Sequence, residues 1–286
     1  MNVKTVGVVG AGLMGSGIIE QAARCGFSVV AREVDDRALE GGRKRLQGSM
    51  SRALERGKIT EAQRDEAQGR IAWTTDLNDL RDCDLVIEAI VENLELKKQL
   101  FAELDRLTRP EVILASNTSS VSITALGAAT SRPEKVAGAH FFNPVPVMGL
   151  VELVRGLLTS DETMDQLRRF GEALNKKVVI ARDTPGFIVN LLLVPYLLGA
   201  VRAVETNMAS VEDIDTAMKL GTGVPMGPLT LLDFVGLDTT LYIADVMYEE
   251  FKDPMYAAPP LLRKMVNAGL HGKKNGRGFY DYRDAR

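Results

Sequence analysis

The 286-residue sequence predicts a doubly wound α/β sheet over residues 1–184 followed by an all-helical domain over residues 185–286. Three observations lead there. Short apolar, β-branched runs alternate with helical segments as far as residue 181, the pattern of parallel strands joined by crossover helices. The first run leads straight into a G-x-G-x-x-G, Gly10-Ala11-Gly12-Leu13-Met14-Gly15. After Asp183-Thr184-Pro185-Gly186 the strand-like runs stop and only helical periodicity is left.

Taken in order, Val3 to Val9 reads as a buried parallel strand, Ser16 to Cys25 as a helix, and Phe27 to Ala31 as a second strand. A long helical excursion, residues 36–70, precedes the next strand, Ile71 to Thr75; an ordinary crossover needs far fewer residues. Asp84 to Ile90 reads as a strand feeding a helix near Glu95 to Leu107, and Val112 to Ser116 as another strand. Val136 to Phe142, Leu150 to Val154 and Val178 to Ala181 follow, with Ser160 capping a helix over residues 161–174. Phe187 to Val204 is strongly apolar, but Asn190 and Pro195 interrupt it and Arg202 and Glu205 close it. A membrane span needs about 20 largely apolar residues, so a buried helix is expected instead. Ser210-Val211-Glu212-Asp213 resembles a capping box, and helical periodicity continues through residues 229–251 and 259–268.

Strand, glycines, helix, strand and then an acid, Glu33, in that order make a Rossmann-type dinucleotide site. Gly10 permits the tight turn, Gly12 lets the backbone approach the pyrophosphate, and Gly15 allows close helix–strand packing. The helix N-terminus beyond them offers N–H groups and a positive dipole end. Glu33 should accept from the adenosine ribose hydroxyls and repel a 2′-phosphate, which favours NAD over NADP. Arg32 stands next to it but points to the opposite face of the strand.

Basic and acidic groups nearly balance, 35 against 38, so no bulk field favours nucleic acid or an anionic membrane. Cys25 and Cys83 lie in apolar surroundings without metal-ligand spacing and read as reduced core cysteines of a cytoplasmic protein; no metal is expected. The chain enters a strand almost at once, so no signal peptide is expected.

Only two histidines occur. His140 ends an apolar run at His140-Phe141-Phe142-Asn143-Pro144-Val145-Pro146-Val147, and Glu152 follows twelve residues later inside the next run. Neighbouring strands could set an imidazole beside an acid that orients it, the construction of a general base; a structural histidine near a solvated Glu is the competing reading. His271, in Leu270-His271-Gly272-Lys273-Lys274, reads as an exposed loop residue, and Trp73 as packing. The excursion is basic in its first half, with Arg43, Lys44, Arg45, Arg52, Arg56 and Lys58. It reads as a solvated charged helix pair or as an arm presenting cations to a phosphorylated substrate tail.

Several motifs in one order carry a resemblance over essentially the whole chain. They are the glycine loop, Glu88-Ala89-Ile90-Val91-Glu92-Asn93, Ser116-Asn117-Thr118-Ser119-Ser120, the run from His140 to Val147, and Asp183-Thr184-Pro185-Gly186-Phe187-Ile188-Val189-Asn190. Gly227-Pro228, Gly272-Lys273-Lys274 and Gly278-Phe279-Tyr280 continue it. On these the chain resembles the short-form L-3-hydroxyacyl-CoA dehydrogenases, in the 3-hydroxybutyryl-CoA branch. The resemblance implies that His140 is the base, Glu152 its acidic partner, and Ser119 and Asn190 polar residues holding the substrate oxygens. It implies that Gly10, Gly12, Leu13, Met14, Gly15, Glu33, Ala89, Glu92, Lys97, Ser119 and Asn143 line NAD, and that Ser49 and Arg56 meet the acyl-CoA substrate. Glu33 departs from the family's usual Asp, Arg56 from its usual Lys, and the arm is shorter than in some animal members. A homodimer through the helical domain is also implied, with no nucleic-acid or membrane partner. Two alternatives remain: a CoA-independent 3-hydroxy acid or sugar-acid dehydrogenase, and a non-catalytic, crystallin-like dinucleotide binder.

Overall fold

A computed structural model describes residues 3–283, and the chain divides between Thr184 and Pro185 into two compact units. In the first unit, valine- and isoleucine-rich runs form β1 (Thr5–Val9), β2 (Ser28–Arg32), β3 (Ile71–Thr74), β4 (Leu85–Glu88), β5 (Ile113–Ser116), β6 (Val136–Phe141), β7 (Leu150–Arg155) and β8 (Lys177–Arg182). They make one eight-stranded sheet in the order β3-β2-β1-β4-β5-β6-β7-β8. Every described pairing is parallel except that of β6 with β7. The order reverses between β1 and β4, and the carboxyl ends of those strands flank the place where such sheets bind ligands.

The unit's helices are α1 (Leu13–Arg24), α2 (Asp36–Glu55), α3 (Glu61–Gly69), α4 (Leu94–Leu107), α5 (Ile123–Gly127) and α6 (Asp161–Ala173). Side-chain caps start most of them: Asp35 accepts from Ala38 N, Asn93 from Leu96 N and Ser160 from Thr163 N, and Thr60 forms a full capping box with Gln63. Residues 36–70 are therefore two helices, turned at Gly57, whose φ of 63° suits glycine. Asp183 ties β8 back to the start of α5, accepting from Ile123 N at 2.9 Å and Thr124 N at 2.7 Å. The core joins Val6, Val8 and Ile87 of the sheet to Ile18, Ile19 and Ala22 of α1. Cys83 is buried but Cys25 is only half-buried, because it lies past the end of α1.

The second unit contains α7 (Val189–Glu205), α8 (Val211–Thr222), α9 (Pro228–Val235), α10 (Leu237–Phe251) and α11 (Pro260–Asn267). The helical periodicity over residues 229–251 falls into two helices, parted at Gly236 with φ 102°. Among the described residues, no helix is long and apolar enough to cross a membrane. Two buried acids organise this unit. Asp215 accepts from Leu229 N, Thr230 N and the Tyr280 hydroxyl. Asp233 accepts from Phe279 N, Tyr280 N and the Tyr282 hydroxyl. These bonds explain several glycines of the motifs: a Cβ on Gly278 would lie 1.9 Å from Asp233 Oδ1, and one on Gly272 2.3 Å from the Asp233 carbonyl. The same fold-back corrects the reading of His271. It is half-buried, with Nε2 3.3 Å from the Val266 carbonyl, because the turn at Gly272 packs under α9 instead of standing in solvent.

Gly278→Ala should therefore lower the unfolding free energy by about 1–3 kcal/mol, the usual cost of an overpacked site. Denaturant melts check this, and a variant as stable as the parent contradicts the packing described.

Candidate active site

The reversal of β7 builds the first cluster. Antiparallel pairing sets His140 directly opposite Glu152, and opposed residues project to one face with Cβ atoms about 4.5–5.5 Å apart. The imidazole Nδ1 lies 2.7 Å from Glu152 Oε2. Glu152 is 0% exposed and His140 7%, so water contributes little to either. A carboxylate oxygen accepts, so Nδ1 donates, which leaves Nε2 as the ring nitrogen able to exchange a proton. The Phe142 ring lies 4.6 Å from the imidazole, centroid to centroid.

The second cluster is the loop after β5. Glu92 Oε1 accepts from the Thr118 hydroxyl, from Ser119 N at 3.1 Å and from the Ser120 hydroxyl at 3.2 Å. Its other oxygen lies 3.1 Å from Lys97 Nζ. Burial pushes the Glu92 carboxyl up, but the Lys97 charge and the donors from Thr118 and Ser119 outweigh it, and its pKa falls below the usual range. Asn117 joins this loop to the first cluster, its Oδ1 accepting from Phe141 N at 2.9 Å.

The glycine loop shows a division of labour. A Cβ on Gly10 would lie 2.6 Å from the Ala89 carbonyl and one on Gly15 1.8 Å from the Gly10 carbonyl. At Gly12 a Cβ would meet nothing within 4 Å, and no side chain caps α1 there. The first and third glycines serve the protein's own packing. The second leaves a cradle at a helix N-terminus that fits a dinucleotide pyrophosphate. Glu33 stands at its rim, accepting from Ala11 N at 2.5 Å and Val34 N at 3.0 Å, while Arg32 Nε turns to the Thr75 carbonyl at 3.4 Å.

Other predicted residues fall as follows. Leu13 is exposed, Met14 packs against the core, and Ala89 abuts Gly10. Lys97 is 1% exposed, so it acts through its two carboxylates and not by lining an open surface. Asn143 is exposed on the turn after β6. Asn190 is half-buried in the first turn of α7, in the second unit. Ser49 is half-buried on α2 and Arg56 is exposed at its C-cap. The arm's cations are unequal. All six are exposed, but Arg43 stacks on Trp73 at 5.7 Å and Arg45 reaches the Ala11 carbonyl at 3.4 Å, whereas Arg52, Arg56 and Lys58 lie further along the arm.

Glu88, outside the residues predicted for the site, is 0% exposed and bonded to Lys97 Nζ at 2.6 Å. A charge ending an all-apolar strand was its signal, since buried charge demands a partner. Lys176, also outside the predicted set, donates its ammonium to the Val145 carbonyl at 2.6 Å and the Met148 carbonyl at 2.8 Å and so braces the turn carrying Asn143.

Comparison with known proteins agrees along the whole chain. Residues 5–184 match the family description "3-hydroxyacyl-CoA dehydrogenase, NAD binding domain", and residues 186–282 match "3-hydroxyacyl-CoA dehydrogenase, C-terminal domain". A 3-hydroxybutyryl-CoA dehydrogenase of Mycobacterium tuberculosis is 54% identical over 282 residues, 98% of this chain and 99% of that protein. The crystal structure of M. tuberculosis FadB2 superimposes with a TM-score of 0.97 at 54% identity, covering 99% of this chain and 100% of that one. That of (S)-3-hydroxybutyryl-CoA dehydrogenase from Ralstonia eutropha gives 0.93 at 45% identity, covering 98% and 99%.

Two outcomes follow from this geometry. Gly12→Ala should melt like the parent yet bind NADH at least about tenfold more weakly, because the added methyl fills the cradle and touches nothing else. Unchanged NADH affinity would show that the cradle is not used. Glu92, with its folded pKa lowered, adds stability above the unfolded-chain value of about 4.3 and loses it as pH falls toward the folded value. The stability gap between wild type and Glu92→Gln, read from denaturant melts, should thus be level near neutrality and close in acid. A gap that widens in acid would refute the sign.

Proposed function

The chain belongs to the 3-hydroxyacyl-CoA dehydrogenase family, and on that premise we propose that His140, paired with Glu152, is its proton-exchanging base. The enzyme is an NAD-dependent oxidoreductase that reversibly oxidises short-chain (S)-3-hydroxyacyl-CoA, 3-hydroxybutyryl-CoA to acetoacetyl-CoA. The observation that carries the catalytic assignment is the cross-strand bond of 2.7 Å between His140 Nδ1 and a fully buried carboxylate. Bound NAD would supply the hydride acceptor for C3 of the substrate. The chain's own residues must then remove the hydroxyl proton and steady the oxygen. In this reading His140 Nε2 takes that proton, and Glu152 stabilises the imidazolium that results. In the reverse direction the imidazolium returns the proton to the ketone oxygen. Ser119, whose backbone N–H is held by Glu92, serves as a donor to the substrate oxygen, and the resemblance assigns Asn190 a like role. Gly12, Glu33, Glu92 and Lys97 serve the cofactor, the last by fixing Glu92.

Arg52, Arg56 and Lys58, together with Ser49, offer the contacts for coenzyme A phosphates, because these cations are exposed. Leu192, Leu220 and Phe234 are 69%, 82% and 48% exposed on the helical unit, and that apolar surface supports a homodimer. The free thiols of Cys25 and Cys83 suit the cytoplasm, and a place in fatty-acid β-oxidation belongs to the same reading.

His140→Gln should lower kcat for acetoacetyl-CoA reduction by about 10²–10⁴-fold, the usual worth of a positioned acid–base group. NADH affinity, measured by fluorescence titration, should stay within about threefold, a free-energy change well under 1 kcal/mol. Loss of both together would identify a structural histidine.

A further inference from the structure

We propose that Glu88 is a positioning residue for this reaction, holding Ser119 in register through the loop after β5; the inference rests on the function proposed above. Glu88 ends β4 with its side chain fully buried. Oε1 accepts from Lys97 Nζ at 2.6 Å and Ile90 N at 2.7 Å, and Oε2 from the Ser116 hydroxyl at 2.6 Å. Its backbone carbonyl accepts from Asn117 N at 2.8 Å. Ser116 Oγ in turn accepts from Thr118 N at 3.2 Å. One residue thus grips the loop at Ser116 and Asn117 and grips Lys97 on α4.

The second route runs through Glu92. Lys97 Nζ is shared between Glu88 and Glu92 Oε2, and Glu92 Oε1 receives Ser119 N. Two carboxylates thus face one ammonium. Lys97 cannot swing wholly to Glu92 without leaving the buried Glu88 carboxylate with only the neutral donors Ile90 N and Ser116 Oγ and no counter-ion, which a low-dielectric interior penalises strongly. The ammonium is thereby pinned, Glu92 with it, and the Ser119 backbone with Glu92. Glu88 itself is enclosed by these partners, so it acts through Ser119 and not on the reacting atoms.

A plain fold staple would share the bonds but not the coupling, and a double-mutant cycle separates the two. Wild type, Glu88→Gln, Ser119→Ala and the double variant are compared for kcat and KM with acetoacetyl-CoA, with melting temperature recorded for each. Glu88→Gln should lower kcat about tenfold in the wild-type background and less than about twofold once Ser119 is alanine. Equal losses in both backgrounds, or a kcat for Glu88→Gln within about twofold of wild type, would overturn the assignment. Should Glu88→Gln fail to fold, Ser116→Ala cuts the same route at a neutral group and is held to the same criteria. The cycle is run in parallel on NADH affinity. A wild-type chain without turnover would sink the proposed reaction, while the binding cycle would still decide the positioning claim.

Discussion

Because β7 runs against β6 in a sheet otherwise parallel, two side chains twelve residues apart are brought face to face at His140 and Glu152. A parallel neighbour would offset the pair and need a long crossover. The reversal needs only a short turn, and that turn carries Asn143 and is braced by Lys176. Register then does what no loop could do as well: it fixes imidazole and carboxylate on two strands whose backbones are hydrogen-bonded. The loop after β5 is referenced to the same frame through Asn117 and Phe141 N.

Buried charge supplies the rest of the order. Glu88, Glu152, Asp215 and Asp233 are each 4% exposed or less, and each meets donors at hydrogen-bonding distance. Such groups contribute little net stability, since desolvation offsets most of what their bonds return. What they contribute is a single geometry, because any slip leaves an acceptor or a charge bare. The two units use this device for different ends. In the first it aligns Ser119 and His140; in the second it pins the C-terminal segment onto α9.

Local signals were legible in the sequence where a residue and its partner lie close along the chain. The glycine loop, the Ser160 and Ser210 caps and the His140–Glu152 spacing are of this kind, and the structure shows each cap and the pair. Glu88 showed only as a charge ending an apolar strand; its partners, Lys97 on α4 and Ser116 on β5, sit on other elements that no pattern in the sequence pairs with it. His271 differs: its own contacts, the Val266 carbonyl and Asn275, are close along the chain, but the turn that carries it is buried by Gly272 packing on Asp233, which no spacing connects to it. The basic arm shows a third limit, since composition counts six cations but cannot tell that Arg43 stacks on Trp73 and that Arg45 reaches the glycine loop.

The central claim is that Glu152 holds His140 with the proton on Nδ1, so that Nε2 meets the substrate. The chain's two histidines make this directly observable by long-range ¹H–¹⁵N NMR of ¹⁵N-histidine-labelled protein, with His271→Gln assigning the signals. Near neutral pH the His140 ring should show a protonated Nδ1 and a bare Nε2, and Glu152→Gln should disturb that pattern. A ring protonated on Nε2 alone, or one indifferent to Glu152→Gln, would contradict the account.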